Sequence, residues 1–193
     1  MPVPKSALVV GSAVYLRRPL PGDARVFCAA VRASRAIHRP WTQPPATTRA
    51  YSALLARCRR PEFQALFVCR SEDHAIAGVF DLSQIFRGIL QSGYLGYYAL
   101  SPHTRRGYMR EGLQLVLRYA FLHLRLHRVE CNIQPANRRS IALVRRGGFV
   151  REGFSRRYLK IAGRWRDHER WAMLVEDWRV RQRSRPPRKK LGG

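Results

Sequence analysis

The strongest constraint on the fold lies between residues 92 and 133, where two short apolar runs flank a turn and a long amphipathic segment. Ser92 to Leu100 is tyrosine-rich, stops ahead of Pro102 and reads as a strand. Leu113, Val116, Leu117, Ala120, Phe121 and Leu124 recur every three or four residues, which gives one apolar stripe and a helix closing near His127. Val129 to Ile133 reads as a second strand. Strand, crossover helix and strand make a parallel pair, and the sequence shows this form once.

The flanking segments follow another pattern. Val14 to Arg17 is a first strand, and after the Pro19–Gly22 turn Asp23 is placed to cap a helix carrying Val26, Ala29, Ala30 and Ala33. Pro40, Pro44 and Pro45 make residues 39–48 an irregular loop, and Tyr51, Leu54 and Leu55 mark a helix over 47–59. Ala65 to Arg70 and Ala75 to Leu82 form a hairpin about a polar turn. Beyond the parallel pair come a short helix over 137–146, a strand over 149–161 after Gly147 and Gly148, a turn at Gly163 and a last strand through Trp171 to Leu174. Hairpins place antiparallel strands around one parallel pair. The expected class is therefore α/β of the α+β type, a mixed, mostly antiparallel sheet with helices on both faces. Length allows one core of ordinary size, so residues 1–178 are expected to form a single domain. Residues 179–193 are basic, contain Pro186 and Pro187, lack periodicity, and are expected to form a disordered tail.

Composition narrows the function classes. No apolar run approaches the roughly 18 residues of a membrane span. Ala7 to Leu16 is interrupted by Gly11 and Ser12 and lacks a small-residue cleavage site, so it reads as a strand and not as a signal peptide. Cys28, Cys58, Cys69 and Cys131 are scattered with no C-x-x-C pair, as expected of small buried hydrophobes in a reducing, cytoplasmic setting. His123 and His127 share a helix face, but no third ligand follows, and no metal is expected. Lys and Arg number 37 against 12 Asp and Glu, a net charge of +25. Such a surface attracts polyanions, among them RNA, ribosomal surface and phosphorylated cofactors, without reading any sequence.

The loop from Thr104 to Gly112 joins the tyrosine-rich strand to the best helix. A helix N-terminus offers unpaired N–H groups and partial positive charge, and Gly107 lets a phosphate approach the backbone, so the loop reads as an anion site. No Gly-Lys-Ser/Thr follows, and G-x-G-x-x-G is absent, which disfavours ATP and NAD. Downstream stand Asn137-Arg138-Arg139-Ser140, then Gly148-Phe149, Glu152-Gly153 and Gly163-Arg164-Trp165-Arg166-Asp167.

In this order the motifs resemble the GNAT superfamily, and within it the ribosomal-protein alanine N-acetyltransferases, from about Asp81 to Trp178. The resemblance implies a six- to seven-stranded sheet splayed between the strand ending at Leu100 and the strand Val129 to Ile133, with acetyl-CoA in the gap. It assigns the pyrophosphate to the loop pattern Q/R-x-x-G-x-G/A, here Thr104 to Met109, hence Arg105, Arg106, Gly107, Tyr108, Met109 and the adjoining Arg110. Tyr98, Ala99 and Leu100 correspond to the pantetheine-contacting strand, and Asn137 and Ser140 to the element beside the thioester. Thr104 and Met109 depart from the pattern, the methionine in the manner of the ribosomal-protein subgroup.

An α-amine has a pKa of about 7.7–8.0, so little base strength is needed to free it near neutral pH. The departing thiolate needs a proton donor, for which Ser140 is the candidate; its alternative role is capping the helix. Glu130 is the candidate base, with a salt bridge to an arginine as its other reading, while Glu111 and Glu152 are expected to be structural. The implied acceptor is a protein N-terminus with possible ribosome or RNA contact. A small-molecule amine, or a non-enzymatic RNA-binding module with a vestigial CoA site, are the alternatives. Monomer and dimer are both open.

Overall fold

The structure, a computed structural model, describes residues 2–184. Eight strands form one sheet: β1 (Val9–Val10), β2 (Val14–Arg17), β3 (Gln64–Arg70), β4 (Ile76–Phe86), β5 (Ser92–Ala99), β6 (Arg128–Ile133), β7 (Val150–Ile161) and β8 (Arg164–Leu174). Their spatial order is β1-β2-β3-β4-β5-β6-β8-β7. All neighbours are antiparallel except β5 and β6. The class and the single parallel pair are as expected. The strand count exceeds expectation because Val9 and Val10 pair with Leu16 and Tyr15 to add a short edge.

Helices α1 (Ala24–Ala33), α2 (Arg35–His38) and α3 (Thr48–Arg57) precede β3. Side-chain alternation along the strands divides the core in two. On one face Phe27, Val31, Tyr51 and Leu54 of α1 and α3 pack on Tyr15, Phe67, Val79 and Tyr98. On the other, α4 (Tyr108–Arg118) and α5 (Arg138–Gly147) bury Leu113, Val116, Leu117, Ile141 and Val144 against Leu66, Phe80, Leu82 and Cys131. After Arg118 the chain continues through a π-helical turn at Tyr119–His123.

The C-terminus departs from expectation. Val175–Arg183 forms a further helix, α6, with Val175 and Trp178 buried. Trp178 anchors it on Phe121, their ring centroids 5.5 Å apart, and Glu176 Oε2 lies 3.2 Å from His127 Nε2. Residues 179–183 are therefore helical; the remainder of the expected tail, 185–193, lies outside the described residues. Among the described residues no group of three or more potential ligands could hold a metal, and no helix is long and apolar enough to cross a membrane.

Candidate active site

The parallel pair is short. Register between β5 and β6 covers only Ser92–Tyr94 against Arg128–Glu130, whereas β5 stays paired with β4 as far as Ala99. From Leu95 to Ala99 the inner edge of β5 has no strand partner among the described residues, and the sheet opens into a wedge. Leu100 N–H is bonded back to Ala77 O at 2.8 Å, so by strand alternation the backbone groups of Ala99 and Tyr97 point into the wedge.

A cavity of about 690 Å³ fills this opening. Its walls come from the α1–α3 connection (His38, Arg39, Trp41, Thr42), the end of β5 (Tyr97, Tyr98, Ala99), the loop into α4 (residues 103–105 and 107–110) and the start of α5 (Asn137 to Ser140). Gly107 caps α4 with φ 83°, a backbone state that disfavours side chains, and a Cβ there would meet nothing within 4 Å. Gly107 O accepts the N–H groups of Arg110 and Glu111, both at 3.0 Å. The preceding N–H groups, of Tyr108 and Met109, have no carbonyl behind them in the helix and are free for an anion. Among the described residues six arginines line the cavity (Arg39, Arg105, Arg110, Arg138, Arg139 and Arg146) and no carboxylate does. That charge, the open backbone at Gly107 and the unpaired edge of β5 fit a nucleotide bearing several phosphates and an amide-containing arm, which is the chemistry of CoA.

The departure at Met109 has a structural counterpart. Its side chain packs over Gly78 of β4, where a Cβ would collide with Met109 Sδ, so the methionine is accommodated beneath the loop. Around Ser140 the geometry separates two roles. Asn137 Oδ1 accepts from Ser140 N–H at 3.2 Å, which makes asparagine the helix cap, and Tyr97 Oη donates to Ser140 O at 3.1 Å. The half-buried Ser140 lines the cavity beside the Tyr97 hydroxyl, and the cap bond at this helix start is made by Asn137 and not by the serine hydroxyl.

Tyr98, Ala99, Arg105, Gly107, Tyr108, Met109, Arg110, Asn137 and Ser140 thus meet in one cavity. Leu100, Arg106 and Glu130 do not. Leu100 is fully buried in the core against α1 and α3, and Arg106 is exposed away from the walls. Glu130 is held by Arg128 Nε at 2.9 Å and Arg170 at 3.6 Å; the ion pair, not the base, is its place in the fold. Glu152 completes the same cluster by pairing with Arg128, whose guanidinium holds its carboxyl below the usual range. Glu111 accepts from the N–H groups of Ser12 and Ala13 and ties α4 to the β1–β2 turn.

His38 is a cavity residue that sequence reasoning did not single out. Its Nε2 lies 2.8 Å from Ala99 O, and a carbonyl can only accept, so Nε2 carries the proton. Burial holds the imidazole below its ordinary pKa, hence neutral, although the Ala99 bond pulls the other way. A lone histidine before a proline-rich loop gives no pattern from which this contact can be read.

A splayed α/β sheet with a helix N-terminus aimed into the opening defines the class of acyltransferases that take an acyl-CoA donor. The Acetyltransferase (GNAT) domain model matches residues 13–150. The chain belongs to the GNAT acetyltransferase family. It is 37% identical over 107 residues to the ribosomal protein uS5-alanine N-acetyltransferase of Escherichia coli, covering 55% of each chain, so it spans little more than half the length of that relative. Mycobacterium smegmatis RimJ, solved with CoA-disulfide, superposes with a TM-score of 0.78 at 27% identity over 85% of this chain and 83% of that one. The spermidine N-acetyltransferase of Vibrio cholerae, solved with CoA and spermine, shares the fold with a TM-score of 0.75 at 22% identity over 87% and 99% of the two chains.

Proposed function

We propose that this protein transfers the acetyl group of acetyl-CoA to a primary amine, and that the amine is the N-terminal α-amine of a ribosomal or similarly RNA-associated protein. The observation that carries the reading is the wedge between β5 and β6, where an unpaired strand edge, a phosphate-ready helix N-terminus and the Ser140 side chain meet. Acetyl-CoA supplies an acyl group activated as a thioester. The N–H groups of Tyr97 and Ala99 suit the oxygen on which negative charge develops, since they are fixed in place and carry no competing strand bond. Ser140 Oγ donates a proton to the sulfur as the carbon–sulfur bond breaks, and regains one from solvent. Tyr97 and Asn137 hold the Ser140 backbone and so aim its hydroxyl.

The protein acceptor is supported by the uS5-modifying relative and by a net charge of +25, which draws the chain toward RNA-bearing particles and repels polycationic amines. Four free cysteines support a reducing, cytoplasmic setting. Incubation with radiolabelled acetyl-CoA and either ribosomal extract or a panel of amines tests the proposal. Label entering a protein N-terminus is the expected outcome; label only in small amines changes the substrate class, and none in either removes the activity.

A further inference from the structure

In an extended strand the N–H and C=O of one residue point to the same side. At Ala99 a donor and an acceptor therefore face the wedge together, and any oxygen that accepts from Ala99 N–H lies beside Ala99 O. Two electron-rich oxygens so placed repel. A backbone hole for developing negative charge works best where its own carbonyl is engaged elsewhere.

The segment between α1 and α3 supplies that engagement. The buried Ser34 closes α1, its hydroxyl donating to Ala30 O at 2.6 Å and accepting Ser101 N–H at 2.8 Å, which fastens the start of α2 to the chain just beyond Ala99. At the other end of α2, His38 N–H bonds to Ser34 O at 3.2 Å, and His38 O accepts the N–H groups of Trp41 and Thr42 at 2.7 and 3.0 Å. The backbone of His38 is thus held on both sides. Its ring stands edge-on to Tyr98, the centroids 5.3 Å apart at 75°, and from that position Nε2 donates to Ala99 O at 2.8 Å. His38 is buried and lines the same cavity as Ala99 and Ser140. Nε2 carries a proton in both the neutral and the charged imidazole, so the bond survives titration of the ring.

We propose that His38 is a positioning residue of the acetyl-transfer site: by donating to Ala99 O it fixes the end of β5 and leaves Ala99 N–H as the unopposed group facing the thioester oxygen. The role rests on the acetyl-transfer reading for the presence of a thioester in the wedge. His38 acts through the Ala99 carbonyl and touches no reacting atom. Without its N–H, the lone pairs of Ala99 O would oppose charge growing on the thioester oxygen. The same oxygen would also be open to the acceptor, where it would hold the amine as an ammonium with no lone pair for attack. Both effects slow the chemical step, and neither reaches the N-terminus of α4.

His38→Gln and His38→Leu test the role, since glutamine returns an N–H near the Nε2 position and leucine fills the space without one. Infrared spectroscopy of bound acetyl-CoA, isotope-labelled at its thioester carbonyl, reads the hole without turnover. The carbonyl stretching frequency is expected to fall below that of free acetyl-CoA in wild type and His38→Gln, and the lowering is expected to be lost in His38→Leu. With an alanine-initiated tripeptide as acceptor, His38→Leu should lower kcat at least about tenfold, while acetyl-CoA affinity by calorimetry changes less than about twofold. His38→Gln should recover most of that loss. Equal losses of kcat in the two variants overturn the role, because the imidazole itself would then be required. An unshifted carbonyl in the wild type overturns it as well, whether or not His38→Leu folds. A carbonyl shift that depends on the donor at position 38, in a protein that acetylates no amine, supports this role and defeats the transfer reading alone.

Discussion

Replacing Gly107 with valine separates the conformational and the binding roles of one residue. At φ 83° the backbone stands in the region that L side chains rarely adopt, and a β-branched residue held there costs about 1–2 kcal/mol. Nothing within 4 Å would touch the new Cβ, so no steric clash with the rest of the fold adds to this. For a chain of this length that corresponds to a melting temperature lower by about 3–6 °C, well short of unfolding. The space the side chain enters is the space above the first N–H groups of α4, where a pyrophosphate would sit. Affinity for acetyl-CoA should therefore fall at least about tenfold, on the order of 1.4 kcal/mol, beyond the stability loss. Calorimetric titration of acetyl-CoA into wild type and Gly107→Val, at a temperature where circular dichroism shows both folded, makes the measurement. Unchanged affinity in the folded variant would take the loop out of the donor site.

Ser140→Ala should lower kcat with little change in acetyl-CoA affinity or melting temperature, while Asn137→Ala should lower stability by about 1 kcal/mol through the lost cap; equal effects of the two on stability would return Ser140 to a capping role. Burial holds His38, His103 and His168 below their ordinary pKa, so the unfolded chain binds more protons and stability, complete above about pH 6.5, falls as pH drops beneath it. His38→Gln keeps a donor for Ala99 O and should flatten the fall in melting temperature from pH 7 to pH 5; an unaltered slope would mean that His38 does not titrate in that window. Truncation after Ser184 removes Arg185, Arg188, Lys189 and Lys190 and should leave turnover on a short peptide intact. If those cations contact phosphate, the slope of log K against log salt for RNA binding should flatten by up to about 3, as filter retention across a salt series would reveal.

The sequence by itself determined the parts of the molecule that obey local rules. The stripe from Leu113 to Leu124, the polar turn at Ser71–His74 and the single strand–helix–strand unit specify their elements by periodicity and turn chemistry, and they specify the one parallel pair. The same is true of Gly107, whose positive φ was foreshadowed by a glycine at a helix start. Pairing escapes such rules: Ala7 to Leu16 reads as one strand, yet it folds back at residues 11–13 into β1 and β2, with Val9 and Val10 paired to Leu16 and Tyr15. The end of α6 likewise depends on Trp178 finding Phe121, a contact 57 residues away along the chain that no local pattern encodes. The roles of individual polar groups were decided by tertiary structure alone. Glu130 alternates onto the face a base would need, yet Arg128 and Arg170 close over it. His38 carries no motif and acquires meaning only once splaying of β5 from β6 leaves Ala99 O to it. Periodicity reports which face a side chain takes, whereas a hydrogen-bond partner or its absence is fixed by residues distant in sequence, and the chemistry of this site depends on the second.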